Sequence, residues 1–356
     1  VSSTEPPRST PPTGNVQLPL GQRTVDWSTH AGRPAVELID QTALPDVERL
    51  LRLTTVDEVV DAIQRLAVRG APAIGVAGGL GVALAAVTIS DPAARDAAVA
   101  ALRDARPTAV NLARAVDRVA AVLPDGPQRT LAEALAIRDE EIASSDSMAA
   151  YGVDLIGELC GAEPRLLTHC NTGGLATVTG GTALGVVFAL HRAGRLGGVV
   201  ASETRPLLQG ARLTTWELGR AQIPFRVAVD GAGPFLIARG EVDAVIIGAD
   251  RICANGDVVN KIGSYAHALG AARAGVPFVV VAPESTVDRQ TPDGGAVEIE
   301  DRGSAELAPN LPAANPAFDV TPFDLVTAVV TDRRVVRFAA GQTWDDIPLG
   351  PLRSLS

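Results

Sequence analysis

Apolar residues along this chain follow two rhythms, one after the other. Between about residues 55 and 145 they recur at helical spacing. TVDEVVDAIQRLAV (55–68) sets Val56, Val59, Val60, Ile63, Leu66 and Ala67 on one face, and Thr55 with Glu58 has capping-box spacing. Asp91-Pro92 supplies an N-cap and a first helical residue. The helical rhythm continues in TAVNLARAVDRVAAVL after Pro107 and again from Thr130 to Ala143. Ahead of these helices, Ala35 to Asp40 predicts a short strand.

From about residue 163 the rhythm changes to short apolar runs separated by helical stretches. The runs are RLLTHC (165–170), GVVASET (198–204), FRVAVD (225–230), AVIIGAD (244–250) and FVVVAP (278–283). That alternation predicts an α/β fold with a parallel sheet flanked by helices. Cys170, Glu203 with Arg205, Asp230, Asp250 and Glu284 lie at or just beyond the ends of these runs. In a parallel sheet such ends share one edge, where ligands bind in open α/β folds. Each polar residue can also cap the next helix, and Asp230 fits either role. The expected division is a disordered tail over 1–23, a mainly helical domain over 24–145 and a sheet domain over 146–356.

Composition narrows the functional classes. Hydrophobic residues make up 46% of the 356 residues and aromatic ones only 3%, so a large core must be built from Ala, Val, Leu and Ile. A net charge of -10 disfavours general attraction to nucleic acid or anionic lipid, so any bound phosphate needs a local clamp. The uncharged stretches Gly70 to Ser90 and Asn171 to Leu190 are rich in Gly, Ala and Thr, and predict buried helices, not membrane spans. Three cysteines without framework spacing fit a reducing, cytoplasmic setting. The first residues have no apolar h-region, and their Pro, Ser and Thr content predicts disorder.

Two segments carry candidate chemistry. THCNTGGLAT sets Cys170 between a strand and a glycine-rich turn, whose backbone N–H groups favour anions, a thiolate included. Cys160, beside Gly161, and Cys253 have no comparable setting and are expected to be inert. GADRICANGDVVNKIGS ends a strand at Asp250, where partial desolvation suits an acid–base carboxyl. Asn260 and Lys261 near the next helix start suggest a phosphate clamp of ammonium, amide and helix N–H groups. RGAPAIG offers Arg69 before small residues, and Arg106, Arg205 and Gln209 stand near other helix starts. No dinucleotide fingerprint, Walker A pattern or metal-ligand spacing is present, so no cofactor and no metal are expected.

With RGAPAIG, RPTAVNL, THCNTGG, ETRPLLQGARLT, GADRICANGDVVNKIG, VAPESTVD and NPAFDVTP in that order, the chain resembles 5-methylthioribose-1-phosphate isomerases. These belong to the translation-initiation-factor-2B-like superfamily, and the likeness covers roughly residues 25 to 335. It implies a helical N-terminal domain, a Rossmann-like C-terminal domain, a homodimer and an aldose–ketose isomerisation in methionine salvage. It also implies catalytic roles for Cys170 and Asp250. Substrate contacts are implied at Arg69, Gly70, Ala71, Arg106, Gln209, Asn260 and Lys261. The chain departs from the family at Cys253, where alanine is common, at Thr331-Asp332, where Thr-Glu is usual, and over Arg302 to Ala314.

The implied reaction calls for these residue types. A C1 phosphate ester prevents simple opening to an aldehyde, so the ring oxygen must be protonated before hydrogen moves from C2 to C1. Asp250 suits the ring-oxygen proton. Cys170 suits either a proton shuttled at C1 or C2, or an oxygen-bound proton managed during a direct hydride shift. Ribose-1,5-bisphosphate isomerases, a 5-deoxyribose-1-phosphate isomerase and the non-enzymatic regulatory subunits of the superfamily are the alternatives. Asn171-Thr172-Gly173 and Arg251 favour the methylthioribose enzymes.

Of the 31 lysine and arginine residues, only Lys261 is lysine. An amine-selective reagent therefore modifies that side chain and the N-terminal amine alone. If Lys261 grips a substrate phosphate, modification inactivates the protein, substrate or inorganic phosphate slows the loss, and Lys261→Arg raises the Michaelis constant. Labelling at Lys261 with full activity retained would assign it to a solvated surface instead.

Overall fold

A computed structural model describes residues 23–107 and 109–354, so the tail expected over 1–23 lies outside the described residues except for Arg23. The chain begins with an antiparallel meander of β1 (Val25–His30), β2 (Arg33–Ile39) and β3 (Leu50–Leu53). Only β2 was expected. Its partners are less visible because β1 carries just two large apolar residues, Val25 and Trp27, and β3 is four residues long.

Five helices follow. They are α1 (Val56–Gln64), α2 (Ala71–Thr88), α3 (Pro92–Arg103), α4 (Val110–Ala120) and α5 (Pro127–Cys160). The capping box forms as its spacing predicts: the Glu58 N–H donates to Thr55 Oγ1 at 3.3 Å, and the Thr55 N–H donates to Glu58 Oε2 at 3.0 Å. Asp91 caps α3 by accepting from the Ala94 N–H at 2.8 Å. Helix α2 is long and apolar enough to cross a bilayer, yet 78% of it is buried within the fold. It packs against α1, α3, α4 and α5, so its uniform apolarity reflects burial on every side.

The expected junction at residue 145 falls inside α5, whose 34 residues pass through two cores. Ala134 and Ile137 pack with α2, α4 and the meander, whereas Met148, Leu155 and Ile156 pack beneath the larger sheet. Buried Ser144, Ser145 and Ser147 interrupt the apolar rhythm between those sections, which hid the continuity.

The remaining strands are β4 (Arg165–Thr168), β5 (Gly198–Ser202), β6 (Phe225–Ala228), β7 (Ala244–Ile247), β8 (Arg251–Cys253), β9 (Val258–Lys261), β10 (Phe278–Val281), β11 (Val287–Asp288), β12 (Phe318–Thr321), β13 (Ala328–Val330) and β14 (Val335–Val336). Seven of them form one sheet in the order β14-β13-β10-β7-β4-β5-β6, all parallel except β14. Helices α6 (Ala183–Arg192), α7 (Thr215–Arg220), α8 (Gly233–Ala238) and α9 (Ser264–Ala274) complete the α/β unit. Leu166, Ala244, Ile246 and Val279 face one apolar layer, and Leu167, Val245, Ile247 and Val280 the other. Both faces are covered, so the strands read as continuous apolar runs.

Two expectations fail in detail. Residues 171–190 are not one buried helix: Gly180 and Gly181, both at positive φ, break the backbone before α6 starts at Ala183. Asn260 and Lys261 end strand β9, in a small sheet of order β11-β8-β9-β12, three residues before α9. Strands β8 (RIC) and β9 (VVNK) were not recognised because polar residues break up their few apolar positions.

The segment between β2 and β3 is fastened to the larger unit by Arg212. Its guanidinium donates to the Gln41 carbonyl at 2.9 Å and to the Leu44 carbonyl at 2.9 Å. Arg212→Met keeps the apolar stem and leaves those buried carbonyls unpaired, so it should cost about 1.5–3 kcal/mol in urea unfolding. Arg205→Met, at an exposed position, should stay within about 0.5 kcal/mol of the parent.

Candidate active site

The strand order places the site. From β4 the chain moves outward through β5 to β6, then returns to place β7 on the opposite side of β4. Loops leaving β4 and β7 therefore part, and a crevice opens beyond the carboxyl ends of those two strands. Cys170 lies two residues past β4 and Asp250 three past β7. The two proposed acid–base residues thus come from adjacent parallel strands at the switch point.

Cys170 is 9% exposed and has φ 62, a left-handed conformation that a non-glycine residue adopts at a cost of about 1–3 kcal/mol. Two threonines hold it there. The Cys170 N–H donates to Thr204 Oγ1 at 2.8 Å, and Thr214 Oγ1 donates to the Cys170 carbonyl at 2.6 Å. Thr204 is pinned in turn by Asp230, which accepts from Ser202 Oγ at 2.5 Å and from the N–H groups of Thr204 at 2.8 Å and Arg205 at 2.7 Å. Burial works against the Asp230 charge, but those hydrogen bonds and His169 hold its pKa below the usual carboxylate range. Asp230 is therefore a clasp for the loop after β5. Its side chain makes no cap on the following turn.

Asp250 faces the open crevice, so water reaches it, yet desolvation by the surrounding walls lifts its pKa above the ordinary value. Lys261, Arg69 and Arg106 pull in the opposite direction. All three cations from separate parts of the sequence thus come close enough to act on one carboxyl. The β8–β9 hairpin delivers Lys261, since the Asp250 N–H donates to the Val259 carbonyl at 2.9 Å. Lys261 Nζ donates to the Ala317 carbonyl at 2.8 Å and lies 4.5 Å from the centre of the Phe318 ring.

Arg69 stands just before α2 and donates to Asn171 Oδ1 at 2.6 Å and to the Asn171 carbonyl at 2.9 Å. Gly70 has φ 90, and a Cβ there would overlap the Ala176 carbonyl, so only glycine lets the helix start meet the cysteine turn. No acidic side chain occupies the first turn of α2. Arg106 is half-buried and makes no side-chain hydrogen bond or ion pair among the described residues. Burial lowers its pKa, with Glu300 and Asp250 acting to raise it. Gln209 is 7% exposed, and its Oε1 is buried without a hydrogen-bond partner. Among the described residues no three His, Cys, Asp or Glu side chains gather as metal ligands would.

The model of the initiation factor 2 subunit family matches residues 67–337. A methylthioribose-1-phosphate isomerase of Anaeromyxobacter dehalogenans is 53% identical over 314 residues, covering 86% of this chain and 91% of that protein. The chain belongs to this isomerase family. A probable bifunctional methylthioribose-1-phosphate isomerase/methylthioribulose-1-phosphate dehydratase of Nocardia farcinica is 49% identical over 89% of this chain, which spans 60% of that longer protein. Among solved structures, the 5-methylthioribose 1-phosphate isomerase of Pyrococcus horikoshii OT3 superposes with TM-score 0.83 at 38% identity, covering 93% and 95% of the two chains. A chain described as translation initiation factor eIF-2B subunit delta of A. fulgidus gives 0.78 at 38% identity, covering 89% and 96%.

Elsewhere in this family member, expectation and structure diverge at one helix start. The N–H groups of Gly263 and Tyr265 donate to Asp319 Oδ2 at 2.7 and 3.1 Å, so a carboxylate already occupies the start of α9. Asn260 is buried and its Nδ2 donates to Ser264 Oγ at 2.8 Å. The helix N–H groups beside Asn260 and Lys261 are therefore taken, whereas no side chain caps the start of α2. Burial pushes the thiols of Cys160 and Cys253 up to about 11, as suits inert cysteines. Thr204, Thr214, Glu217 and Asp319 were missed as parts of the site, because each acts through a contact distant in sequence.

The Asp230 clasp has a pH signature. Its folded pKa is depressed, so its stabilisation is present above the unfolded value near 3.9 and is lost as pH falls through the lower folded value. Asp230→Asn should lose about 1–2 kcal/mol at pH 7 by denaturant unfolding. The gap between variant and parent should close in acid, once pH has fallen through that folded value. A gap that persists in acid would remove the charge from the explanation.

Proposed function

We propose that the protein converts 5-methylthioribose 1-phosphate to 5-methylthioribulose 1-phosphate in methionine salvage. The observation that carries this is the placement of Cys170 and Asp250 just beyond the ends of the paired strands β4 and β7, with Arg69, Arg106 and Lys261 acting on Asp250. The names of the family relatives agree with it.

A dianionic phosphate fits the three cations together with the open start of α2 at Gly70 and Ala71. Asp250, whose pKa is raised by desolvation, gives a proton to the ring oxygen as the C1–O4 bond breaks. Hydrogen then passes from C2 to C1, the C2 hydroxyl becomes the ketone, and Cys170 handles the proton released at C2. No net oxidation occurs, because C1 is reduced as C2 is oxidised. Gln209 Oε1, buried without a partner, is free to accept from a sugar hydroxyl.

Exposed Phe225, Val227 and Val229 on and beyond edge strand β6, with Phe235 on α8, form an apolar surface suited to a second copy. A homodimer is the assembly this supports, and sedimentation at micromolar concentration tests it. The eIF-2B likeness supports a second reading, a partner-binding subunit without turnover.

An assay with 5-methylthioribose 1-phosphate separates the two. Cys170→Ser and Asp250→Asn should fold normally and each lose at least about 10²-fold in turnover. Cys160→Ala and Cys253→Ala should stay active. Near-normal turnover in either of the first two variants removes that residue from the mechanism.

A further inference from the structure

A carboxylate outside the substrate-contacting set lies directly behind the phosphate-binding arginine. Glu217, on α7, reaches under the turn that follows Cys170. Its Oε1 accepts from Asn171 Nδ2 at 2.7 Å, and the backbone N–H groups of Leu175 and Gly174 donate to the same carboxyl. A Cβ on Gly173 would overlap the Glu217 carboxyl, so the turn is packed directly on it.

Asn171 is 2% exposed, and its amide can face only one way. The guanidinium of Arg69 is purely a donor, so the oxygen that meets it must be Oδ1. The Nδ2 group is then turned toward Glu217 and, at 3.4 Å, toward Thr214 Oγ1. Arg69, Asn171 and Glu217 thus form one chain of donors and acceptors, with charge at both ends and an amide between. Burial pushes Glu217 up to about 7, opposed by the Asn171 and backbone hydrogen bonds and by Arg69. Such a carboxyl is costly to bury, and helix packing alone does not call for one.

We propose that Glu217 is a positioning residue that sets Arg69 for the substrate phosphate by fixing the Asn171 amide between them. The inference rests on the reading of Arg69 as a phosphate contact. Glu217→Gln replaces one carboxylate oxygen with an NH₂ group, which faces either Asn171 Nδ2 or the donating N–H groups of Gly174 and Leu175, so the Asn171 side chain is no longer held in place behind Arg69. Arg69 then samples poses that do not meet the phosphate, which weakens substrate binding more than the chemical step.

The test is a double-mutant cycle in the full chain with two readouts. The first is the split between KM and kcat for 5-methylthioribose 1-phosphate. The second, independent of turnover, is the concentration of inorganic phosphate needed for half-maximal thermal stabilisation. Glu217→Gln should raise both KM and that phosphate concentration about tenfold while kcat changes less than about threefold. In an Arg69→Ala background the same change should have no further effect on either, because the residue acts through Arg69. Unchanged KM and unchanged phosphate affinity in Glu217→Gln overturn the proposal, as do effects that add fully to those of Arg69→Ala. A variant that only melts earlier, with both affinities retained, also overturns it by showing a purely structural role. Absence of turnover in the parent protein counts against the isomerase reading alone, and the phosphate titration still decides the role of Glu217.

Discussion

The reversal of strand order between β4 and β7 is the constraint on which the rest of the molecule depends. Two parallel strands lie side by side, and the chains leaving them must cross the sheet in opposite directions. The loops leaving them therefore part, and a crevice follows from the topology. Everything placed there is recruited from elsewhere: Arg69 and Arg106 from the helical part, Lys261 from a hairpin, Cys170 and Asp250 from the strand ends. Helix α5 passes through both cores and Arg212 clamps the segment after β2, so these contributions are held in fixed relation.

Holding Cys170 in a left-handed conformation requires support that the cysteine turn does not supply. Thr204 grips its N–H, Thr214 grips its carbonyl, and Asp230 restrains Thr204. Local strain is compensated by hydrogen bonds from three later segments, each buried enough to matter. The same economy is seen behind Arg69, where the buried Asn171 amide is oriented by its neighbours.

Electrostatically, the chain carries a net charge of -10 and nevertheless concentrates three cations around one carboxyl. Attraction for an anionic substrate is therefore local. Desolvation by the crevice walls raises the Asp250 pKa while the three cations oppose it. Asp319 occupies the start of α9, whereas no side chain caps the start of α2 next to Arg69.

The parallel sheet, the helix starts at Thr55 and Asp91, and the strand ends bearing Cys170 and Asp250 were legible in the sequence. Each rests on interactions between residues a few positions apart, or on burial that imposes a period, and both leave a local pattern. The continuity of α5 was hidden because buried serines satisfy a helix interior without keeping its apolar rhythm. Strands β8 and β9 were hidden because polar Arg251, Asn260 and Lys261 interrupt their apolar residues, leaving no continuous run. The roles of Thr204, Thr214, Glu217 and Asp319 depend on partners 34 to 56 positions away, as in the Thr204–Cys170 and Asp319–Gly263 bonds. Local pattern set which segments became strands and helices. Only the tertiary fold decided which polar side chains meet, because hydrogen bonding across the crevice depends on the path of the backbone through space, which no periodicity records.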